Sequence, residues 1–170
     1  MAEFQSVNSL FTYDHNIAWL LKAAKDRQCP KAIHSLKSLF QTQLFEKINK
    51  IAQQNRVEQI VVSPLRQERF FKQQWHSSFL LFEVAQKTGI QVFFSHTKGR
   101  RQARLNLLQR LTSSRKNNTC SKNKLGDKNK NTLFLDDVIT SGNTLVQTCS
   151  SYHCAEAHAL SLFRAPQKAS

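Results

Sequence analysis

Two adjacent acidic residues followed by small hydroxyl residues form the part of this sequence best suited to chemistry. The segment over residues 132–144 reads TLFLDDVITSGNT, with Asp136 and Asp137 at its centre. The apolar run Thr132–Leu135 predicts a buried strand that delivers both carboxylates to its C-terminal end, and a helix is predicted to begin at Gly142. Ligands of open α/β sheets bind at the carboxyl ends of strands. The segment is therefore the candidate ligand site.

The start of the predicted helix has the properties of an anion site. Exposed N–H groups at a helix N-terminus, together with the helix dipole, favour negative charge. Thr140, Ser141 and Thr144 add hydroxyl donors, and Gly142 lets the backbone approach an anion closely. Two carboxylates beside an anion site suit a ligand that carries both a phosphate and a polyol. A ribose 5-phosphate meets this requirement, with its 2- and 3-hydroxyls donating to carboxylates that face solvent in the empty pocket.

With these residues in view, the segment resembles the phosphoribosyl pyrophosphate (PRPP) motif of type I phosphoribosyltransferases at all thirteen positions. The resemblance implies an α/β fold with a parallel sheet and flanking helices. It also implies a set of residues that bind ribose and phosphate: Asp136, Asp137, Val138, Ile139, Thr140, Ser141, Gly142, Asn143 and Thr144. The two aspartates are the candidate catalytic residues, and Mg²⁺ would enter bound to PRPP. The alternative is an Asp-Asp turn that only caps the helix.

More loosely, residues 10–165 resemble the ComF family of phosphoribosyltransferase-like competence proteins. The similarity rests on Pro64-Leu65, on the stretch Arg69-Phe70-Phe71-Lys72-Gln73, and on the spacing of Gln102, Leu105 and Arg110. Two positions depart from the family pattern, because Phe70 replaces a glycine and Ser113 an asparagine. Longer family members carry a four-cysteine zinc ribbon. No C-x-x-C pair occurs in this sequence, so we expect no zinc.

The resemblance also places the loop that follows the first sheet strand of the fold against pyrophosphate. By position, the pyrophosphate residues are Ser63, Pro64, Leu65 and Arg66. The guanidinium of Arg66 is suited to bidentate contact with a diphosphate. A covering loop is expected after the second strand, which makes Lys98, Arg100 and Arg101 candidates.

The balance of charge indicates a polyanionic partner. The chain has 170 residues, with 25 Lys and Arg against 11 Asp and Glu, which gives a net charge of +14. Basic residues concentrate in the segments that flank the predicted pocket: Arg66, Arg69, Lys72, Lys98, Arg100, Arg101, Arg104 and Arg110. Interleaved aromatics such as Phe71 and Trp75 suit single-stranded nucleic acid, although helical spacing favours core packing for both rings. Among the six histidines, only His96 is placed to face the pocket.

Alternating patterns predict the elements that position these residues. Helices are predicted over Asp14–Lys25, Pro30–Asn55, Gln73–Thr88, Ala103–Leu111 and Gly142–His153. Strands are predicted over Glu58–Val62, Ile90–Phe94, Thr132–Leu135 and Ala157–Phe163. This order predicts one α/β domain with a parallel sheet, in which residues 1–56 form a helical N-terminal segment and residues 57–170 the phosphoribosyltransferase-like part. The Ser-, Asn- and Lys-rich residues 113–131 predict a mobile basic loop.

The combined hypothesis is a cytoplasmic ComF-type protein of natural transformation. It would bind PRPP or another ribose phosphate together with incoming single-stranded DNA, with the DNA-uptake helicase or translocation machinery as a further partner and no membrane contact. One alternative is an active phosphoribosyltransferase of nucleobase salvage that uses PRPP and Mg²⁺. Another is a regulatory RNA-binding relative of the same fold. The sequence alone does not establish whether turnover occurs.

Overall fold

The computed structural model describes residues 4–63, 74–95, 127, 129–140 and 142–166. These residues form one five-stranded sheet and four helices. The strands are β1 (Ser6–Thr12), β2 (Gln59–Val62), β3 (Gln91–Phe94), β4 (Thr132–Ile139) and β5 (Ala157–Arg164). The helices are α1 (His15–Lys25), α2 (Pro30–Gln54), α3 (Ser77–Gln86) and α4 (Asn143–Ser150). The protein is therefore a mixed α/β protein, as predicted.

All neighbouring strands are parallel, in the order β1-β5-β4-β2-β3. The chain leaves β2 towards β3 through α3, and it leaves β4 in the opposite direction towards β5 through α4. Because crossovers between parallel strands are right-handed, these two helices lie on opposite faces of the sheet. The direction of the connections therefore reverses between β2 and β4, which is the switch point where ligands of such sheets bind.

Each face of the sheet has its own apolar core. On one face, α1, α2 and α3 pack over the larger core, which includes Leu36, Leu80 and Leu133. On the other face, α4 packs over a smaller core through Leu145 and Cys149. Strand residues buried on both faces are typical of parallel sheets.

Local sequence explains where the first two helices begin. Asp14 caps α1, and its carboxylate accepts a hydrogen bond of 2.8 Å from the N–H of Ile17. Pro30 stands in the first turn of α2, where its missing N–H costs no hydrogen bond. The buried residues Leu36, Phe40, Leu44, Ile48 and Ile51 then follow at intervals of three or four along one face of α2. Both predicted helices are confirmed.

The structure corrects several predicted boundaries. Residues 6–12 form a strand, β1, which pairs with β5 at the edge of the sheet, so the N-terminal segment is not only helical. Helix α3 begins at Ser77, not near Gln73, and β4 continues to Ile139 instead of ending at Leu135. The predicted helix over residues 103–111 lies outside the described residues. No helix in the described part of the chain is long and apolar enough to cross a membrane.

Candidate ligand-binding site

The acid pair lies at the switch point, where β4 extends beyond its neighbour β2. Pairing between the two strands covers only Gln59–Val62 and Thr132–Leu135, whereas β4 continues alongside β5 as far as Ile139. Asp136 and Asp137 are thus the fifth and sixth residues of β4, not residues that follow its end. Beyond Leu135, no strand among the described residues pairs with β4 on the side of β2, next to the two carboxyl groups.

The two carboxyl groups continue the alternation of β4, in which Leu133 and Leu135 pack in the larger core and Phe134 packs in the smaller one. They therefore lie on opposite faces of the sheet, and the alternation ends after them, because Val138 packs in the larger core. Asp136 shares a face with Phe134 and the small core below α4, and the residue is 7% exposed. Asp137 shares a face with Leu135 and the larger core, and its side chain is 16% exposed. The expectation that both carboxylates face solvent is therefore wrong. Extension of β4 through the acid pair is the reason, since a strand buries alternate residues against whatever covers each face.

Asp137 is held by hydrogen bonds and an ion pair from two helices. Its Oδ2 accepts from the ammonium of Lys25 at the end of α1 and from Ser77 Oγ at the start of α3, at 2.5 Å for the serine. Its Oδ1 accepts a 2.8 Å bond from the N–H of Val138. Burial alone would raise the pKa of Asp137, but the charges of Lys25 and His76 and the hydrogen bonds outweigh it and hold the pKa below its usual value.

A glutamine fixes the two helices that reach Asp137. The side-chain amide of Gln28 accepts from the N–H of Trp75 at 2.6 Å and donates to the carbonyl of Trp75 at 3.1 Å. The same amide nitrogen donates to the carbonyls of Ala24 and Lys25, which ends α1. Gln28 therefore joins the C-terminus of α1 to the chain just before α3. Trp75 itself packs against the larger core, as its helical spacing favoured.

Asp136 belongs to a row of small polar side chains that crosses the whole sheet. The strand register aligns Asp136 with Ser161, and Ser161 with Ser9. The same register continues to Ser63 and Ser95, which lie one residue past the ends of β2 and β3. The N–H of Ser63 donates to the carbonyl of Leu135 at 2.7 Å, and the N–H of Ser95 donates to the carbonyl of Val62 at 3.0 Å. We call Ser9, Ser161, Asp136, Ser63 and Ser95 the polar row.

Three serines of the polar row are as buried as core residues. Ser63, Ser95 and Ser161 are 3%, 1% and 0% exposed. The hydroxyls of Ser95 and Ser161 have no hydrogen-bond partner among the described residues, and neither does that of the fully buried Thr148 on α4. Buried hydroxyls without partners are costly, and proteins usually supply them with an ordered water or a ligand group. The polar row therefore offers hydroxyl partners around a single carboxyl group.

Burial raises the pKa of Asp136 to about 8, with a further contribution from the negative charge of Asp137. Three groups act to lower the pKa of Asp136. They are the N–H of Asp137, which donates to Asp136 Oδ1 at 2.9 Å, the charge of Lys25 and the hydroxyl of Ser63. Burial therefore favours the neutral form of Asp136, whereas Lys25 and the hydrogen bonds favour the charged form of Asp137. A protonated carboxyl group is both a donor and an acceptor of hydrogen bonds.

The start of α4 provides open backbone donors on the same face as Asp136. Gly142 is the N-cap residue and has a φ of +73°, a left-handed conformation that favours glycine. Among the described residues, no side chain caps the helix, and a Cβ at Gly142 would meet none of their atoms within 4 Å. Thr140 and Asn143 are exposed beside this turn, and Thr144 is half-buried. These are the features that the sequence predicted for an anion site.

The remaining residues of the predicted motif contribute differently. Val138 packs against the larger core and Ile139 against the smaller one. The carbonyl of Ile139 also accepts a 2.9 Å bond from the N–H of Ala165. Ser141 lies outside the described residues.

Most of the predicted basic residues also lie outside the described residues. Of the four pyrophosphate candidates only Ser63 is described, since Pro64, Leu65 and Arg66 are not. The predicted nucleic-acid set, Arg66, Arg69, Lys72, Lys98, Arg100, Arg101, Arg104 and Arg110, is entirely outside, as is His96. Sequence reasoning did not identify Lys25, Gln28 and Ser77, because no local pattern connects them to β4.

The fold and the site define an α/β protein with an all-parallel sheet and a cluster of polar residues at its switch point. Comparison of the sequence with models of known protein families and with characterised proteins finds no match. The chemistry proposed below is therefore argued from the described geometry and from the sequence.

Proposed function

We propose that this protein is a phosphoribosyltransferase-like protein that binds PRPP or a related ribose phosphate at the switch point of its sheet. We further propose that it is a ComF-type protein of natural transformation that binds single-stranded DNA in the cytoplasm. One observation carries the ligand proposal. The acid pair and the uncapped N-terminus of α4 lie together at the carboxyl edge of the sheet, beside the end of β2.

The phosphate of the ligand would bind at the start of α4. The first N–H groups of a helix have no intrahelical partner, and the helix dipole adds positive potential at this end. Thr140 and Thr144 supply hydroxyl donors at the same turn. The conformation of Gly142 turns the chain from β4 into α4 so that these groups follow the strand directly.

The sugar would bind beside Asp136. A protonated carboxyl group can donate to one ribose hydroxyl and accept from another, and the polar row adds serine hydroxyls on the same face. Neighbouring apolar rows contain Val61, Phe134 and Ala159, so the hydroxyl partners are confined to one level of the sheet. A pentose matches this arrangement because its hydroxyls lie within a few ångströms of its phosphate.

Isothermal titration calorimetry with PRPP, ribose 5-phosphate and inorganic phosphate tests this assignment. Asp136→Ala should weaken ribose 5-phosphate about tenfold or more, the value of one or two lost hydrogen bonds, and leave phosphate affinity nearly unchanged. The double variant Glu46→Ala with Glu58→Ala is the charge control, because both residues are exposed and distant in sequence from the site. Equal losses for sugar phosphate and for phosphate would contradict the placement of the sugar at Asp136.

Single-stranded DNA binding is supported by the net charge of +14 and is tested by a salt titration. The logarithm of the binding constant should fall linearly with the logarithm of the salt concentration. Weak binding at low salt, or no salt dependence, would contradict the DNA proposal. Tighter binding of RNA would favour the regulatory relative. Formation of a nucleotide from PRPP and a free base would favour nucleobase salvage.

A further inference from the structure

The structure assigns to Lys25 a role that rests on the proposed function. We propose that its ammonium is the fixed cation of the acid-pair site, so that a ribose phosphate binds to this protein without a divalent metal ion. The juxtaposition that carries this inference is Lys25 at the end of α1 bonded to Asp137 in β4, next to the end of β2.

The position of Lys25 is built into the fold. The residue belongs to the last turn of α1, and the Gln28 amide bonds its carbonyl at 2.8 Å while contacting the backbone of Trp75. That clamp sets the distance between α1 and the start of α3, where Ser77 donates to the same carboxylate oxygen as Lys25. The ammonium is therefore positioned by three elements, α1, α3 and β4, and does not depend on a flexible surface rotamer.

The ion pair is partly exposed. The side chain of Lys25 is 20% exposed and that of Asp137 is 16% exposed, whereas the Lys37–Glu83 pair on the outer surface is 36% and 50% exposed. An ammonium held at this depth loses part of its hydration but remains within reach of a bound anion. Its attraction for a phosphate is stronger there than at a fully solvated position, because the effective dielectric constant is lower.

The oxygen atoms of the acid pair do not fit a bound Mg²⁺. Both oxygens of Asp137 already accept hydrogen bonds, Oδ1 from Val138 and Oδ2 from Ser77 and Lys25. Asp136 is buried, and its Oδ1 accepts from the N–H of Asp137. Mg²⁺ requires near-ideal octahedral geometry from charged or strongly polar oxygens. Mg²⁺ at a phosphate site is usually held by one or two carboxylates together with the phosphates, and both carboxyl groups of this pair are already engaged by hydrogen bonds.

The charges also balance without a metal ion. Asp137 contributes one negative charge, Lys25 contributes one positive charge, and the proton on Asp136 leaves that group neutral. A diphosphate therefore approaches a neutral cluster and the positive end of α4, not two carboxylates. In a site with two ionised acids, a metal ion would be needed to offset their repulsion of the ligand.

Calorimetric titration of the full chain with PRPP, once in EDTA and once in excess Mg²⁺, tests the inference. For the natural protein the two dissociation constants should agree within about threefold, a difference below 1 kcal/mol. Lys25→Ala should weaken PRPP about tenfold or more in EDTA, the value of one charge-assisted hydrogen bond, and Mg²⁺ should restore part of the loss.

Two control variants separate the effect of the cation at position 25 on PRPP affinity from a general effect of net charge. Lys22→Ala removes an exposed lysine one turn earlier on α1 and should change the affinity less than about threefold, because salt screens exposed charges. Lys25→Arg keeps the charge and should retain most of the affinity in EDTA. If Lys25→Ala does not fold, the EDTA and Mg²⁺ titrations of the natural protein decide the question without it.

Each outcome has one meaning. Binding that requires Mg²⁺ in the natural protein, or equal affinities for Lys25→Ala and the natural protein in EDTA, would overturn the role of Lys25 and leave the ribose phosphate proposal intact. Failure of the natural protein to bind PRPP in either buffer would overturn the proposed function and this inference with it.

Discussion

Asp136 and Asp137 are chain neighbours with the same side chain, yet the two faces of the sheet give them opposite properties. On the face covered by α1 and α3, Asp137 keeps its charge because Lys25 and Ser77 bond it. On the face covered by α4, Asp136 is buried beside serine hydroxyls, and burial raises its pKa to about 8. The type of residue therefore does not decide the chemistry of an acid pair in a strand. The elements that pack on each face decide it.

Under the proposed function, this division provides one group for each part of a sugar phosphate. The α4 face supplies a protonated acid, serine hydroxyls and helix N–H groups, which are neutral donors and acceptors. The opposite face supplies a fixed ion pair. Both faces of β4 adjoin the end of β2, because beyond Val62 no strand of the described chain pairs with β4 on that side.

The largest predicted effect is on the Asp137 face. Asp137→Ala leaves the half-buried ammonium of Lys25 without its carboxylate, and we expect a loss of about 2–4 kcal/mol in the free energy of unfolding. The matched control is Glu83→Ala, which breaks the exposed ion pair with Lys37 and should cost less than about 1 kcal/mol. Urea denaturation at pH 7 measures both. Equal losses would mean that the Lys25–Asp137 pair is no more than a surface contact.

The next prediction concerns Asp136 and the dependence of the free energy of unfolding on pH. Its folded-state pKa of about 8 lies above the usual value of 3.8, so the folded state binds a proton more tightly than the unfolded state. The stability that this proton provides is complete below about pH 4 and is lost as the pH rises towards 8. Asp136→Asn removes this dependence. Relative to the natural protein, the variant should gain about 1.4 kcal/mol of stability per pH unit from pH 5 to about pH 8 and gain no more above pH 8.

Thermal or urea unfolding at five pH values between 5 and 9 measures the difference between Asp136→Asn and the natural protein. Glu46→Gln is the control, since Glu46 is an exposed acid on α2 and its variant should run parallel to the natural protein. A constant difference across the range would show that Asp136 is ionised throughout, and the contrast between the two acids would then disappear.

Sequence patterns predicted the elements that are buried on a regular period. The helical stripe of α2 and the apolar cores of β2, β4 and β5 repeat at the spacing of their elements, so their positions were correct within a few residues. Strand β1 was not predicted, because its sequence SVNSLFT has no clear alternation of apolar and polar residues. The strand has only one neighbour in the sheet, and its Val7 is 47% exposed. An edge strand owes its conformation to the strand beside it, here β5, which lies about 150 residues later in the chain.

The candidate site shows the same limit. The acids, the glycine turn and the start of α4 follow one another in the chain, and the sequence identified all of them. The opposite orientation of the two acids depends on how far β4 extends, and the apolar run stops at Leu135 although pairing with β5 continues. The contact between Lys25 and Asp137 joins residues 112 positions apart, and it results from the packing of α1 against the sheet. No local spacing contains that information.

Each face of the sheet also has one left-handed glycine, and the two provide a matched comparison. Gly142 at the start of α4 and Gly89 after α3 have φ values of +73° and +75°, and an added Cβ at either position meets no atom within 4 Å. Changing either to alanine should therefore cost a similar backbone penalty of about 1–2 kcal/mol. Only Gly142→Ala should also weaken phosphate binding, measured by calorimetry. Equal effects of the two variants on binding would contradict the placement of the phosphate at α4.

The smallest effects compare two serines, one on each face. Ser77 donates a hydrogen bond to the carboxylate of Asp137. Ser77→Ala should therefore lower the free energy of unfolding by between about 1 and about 3 kcal/mol. Ser161 is fully buried beside Asp136, and its hydroxyl has no partner among the described residues. Removal of an unsatisfied hydroxyl relieves a desolvation cost while it leaves only a small void, so Ser161→Ala should change the unfolding free energy by less than about 0.5 kcal/mol.

Urea denaturation of the two variants in parallel decides between two descriptions of the polar row. If Ser161→Ala is nearly neutral, the hydroxyls of the row are unsatisfied in the ligand-free protein and are available for a sugar. A cost equal to that of Ser77→Ala would mean that ordered water already satisfies them, since only a hydrogen bond present in the folded state can be lost. A ligand would then have to displace that water, and the α4 face would no longer differ from the Asp137 face in having open hydrogen-bonding groups.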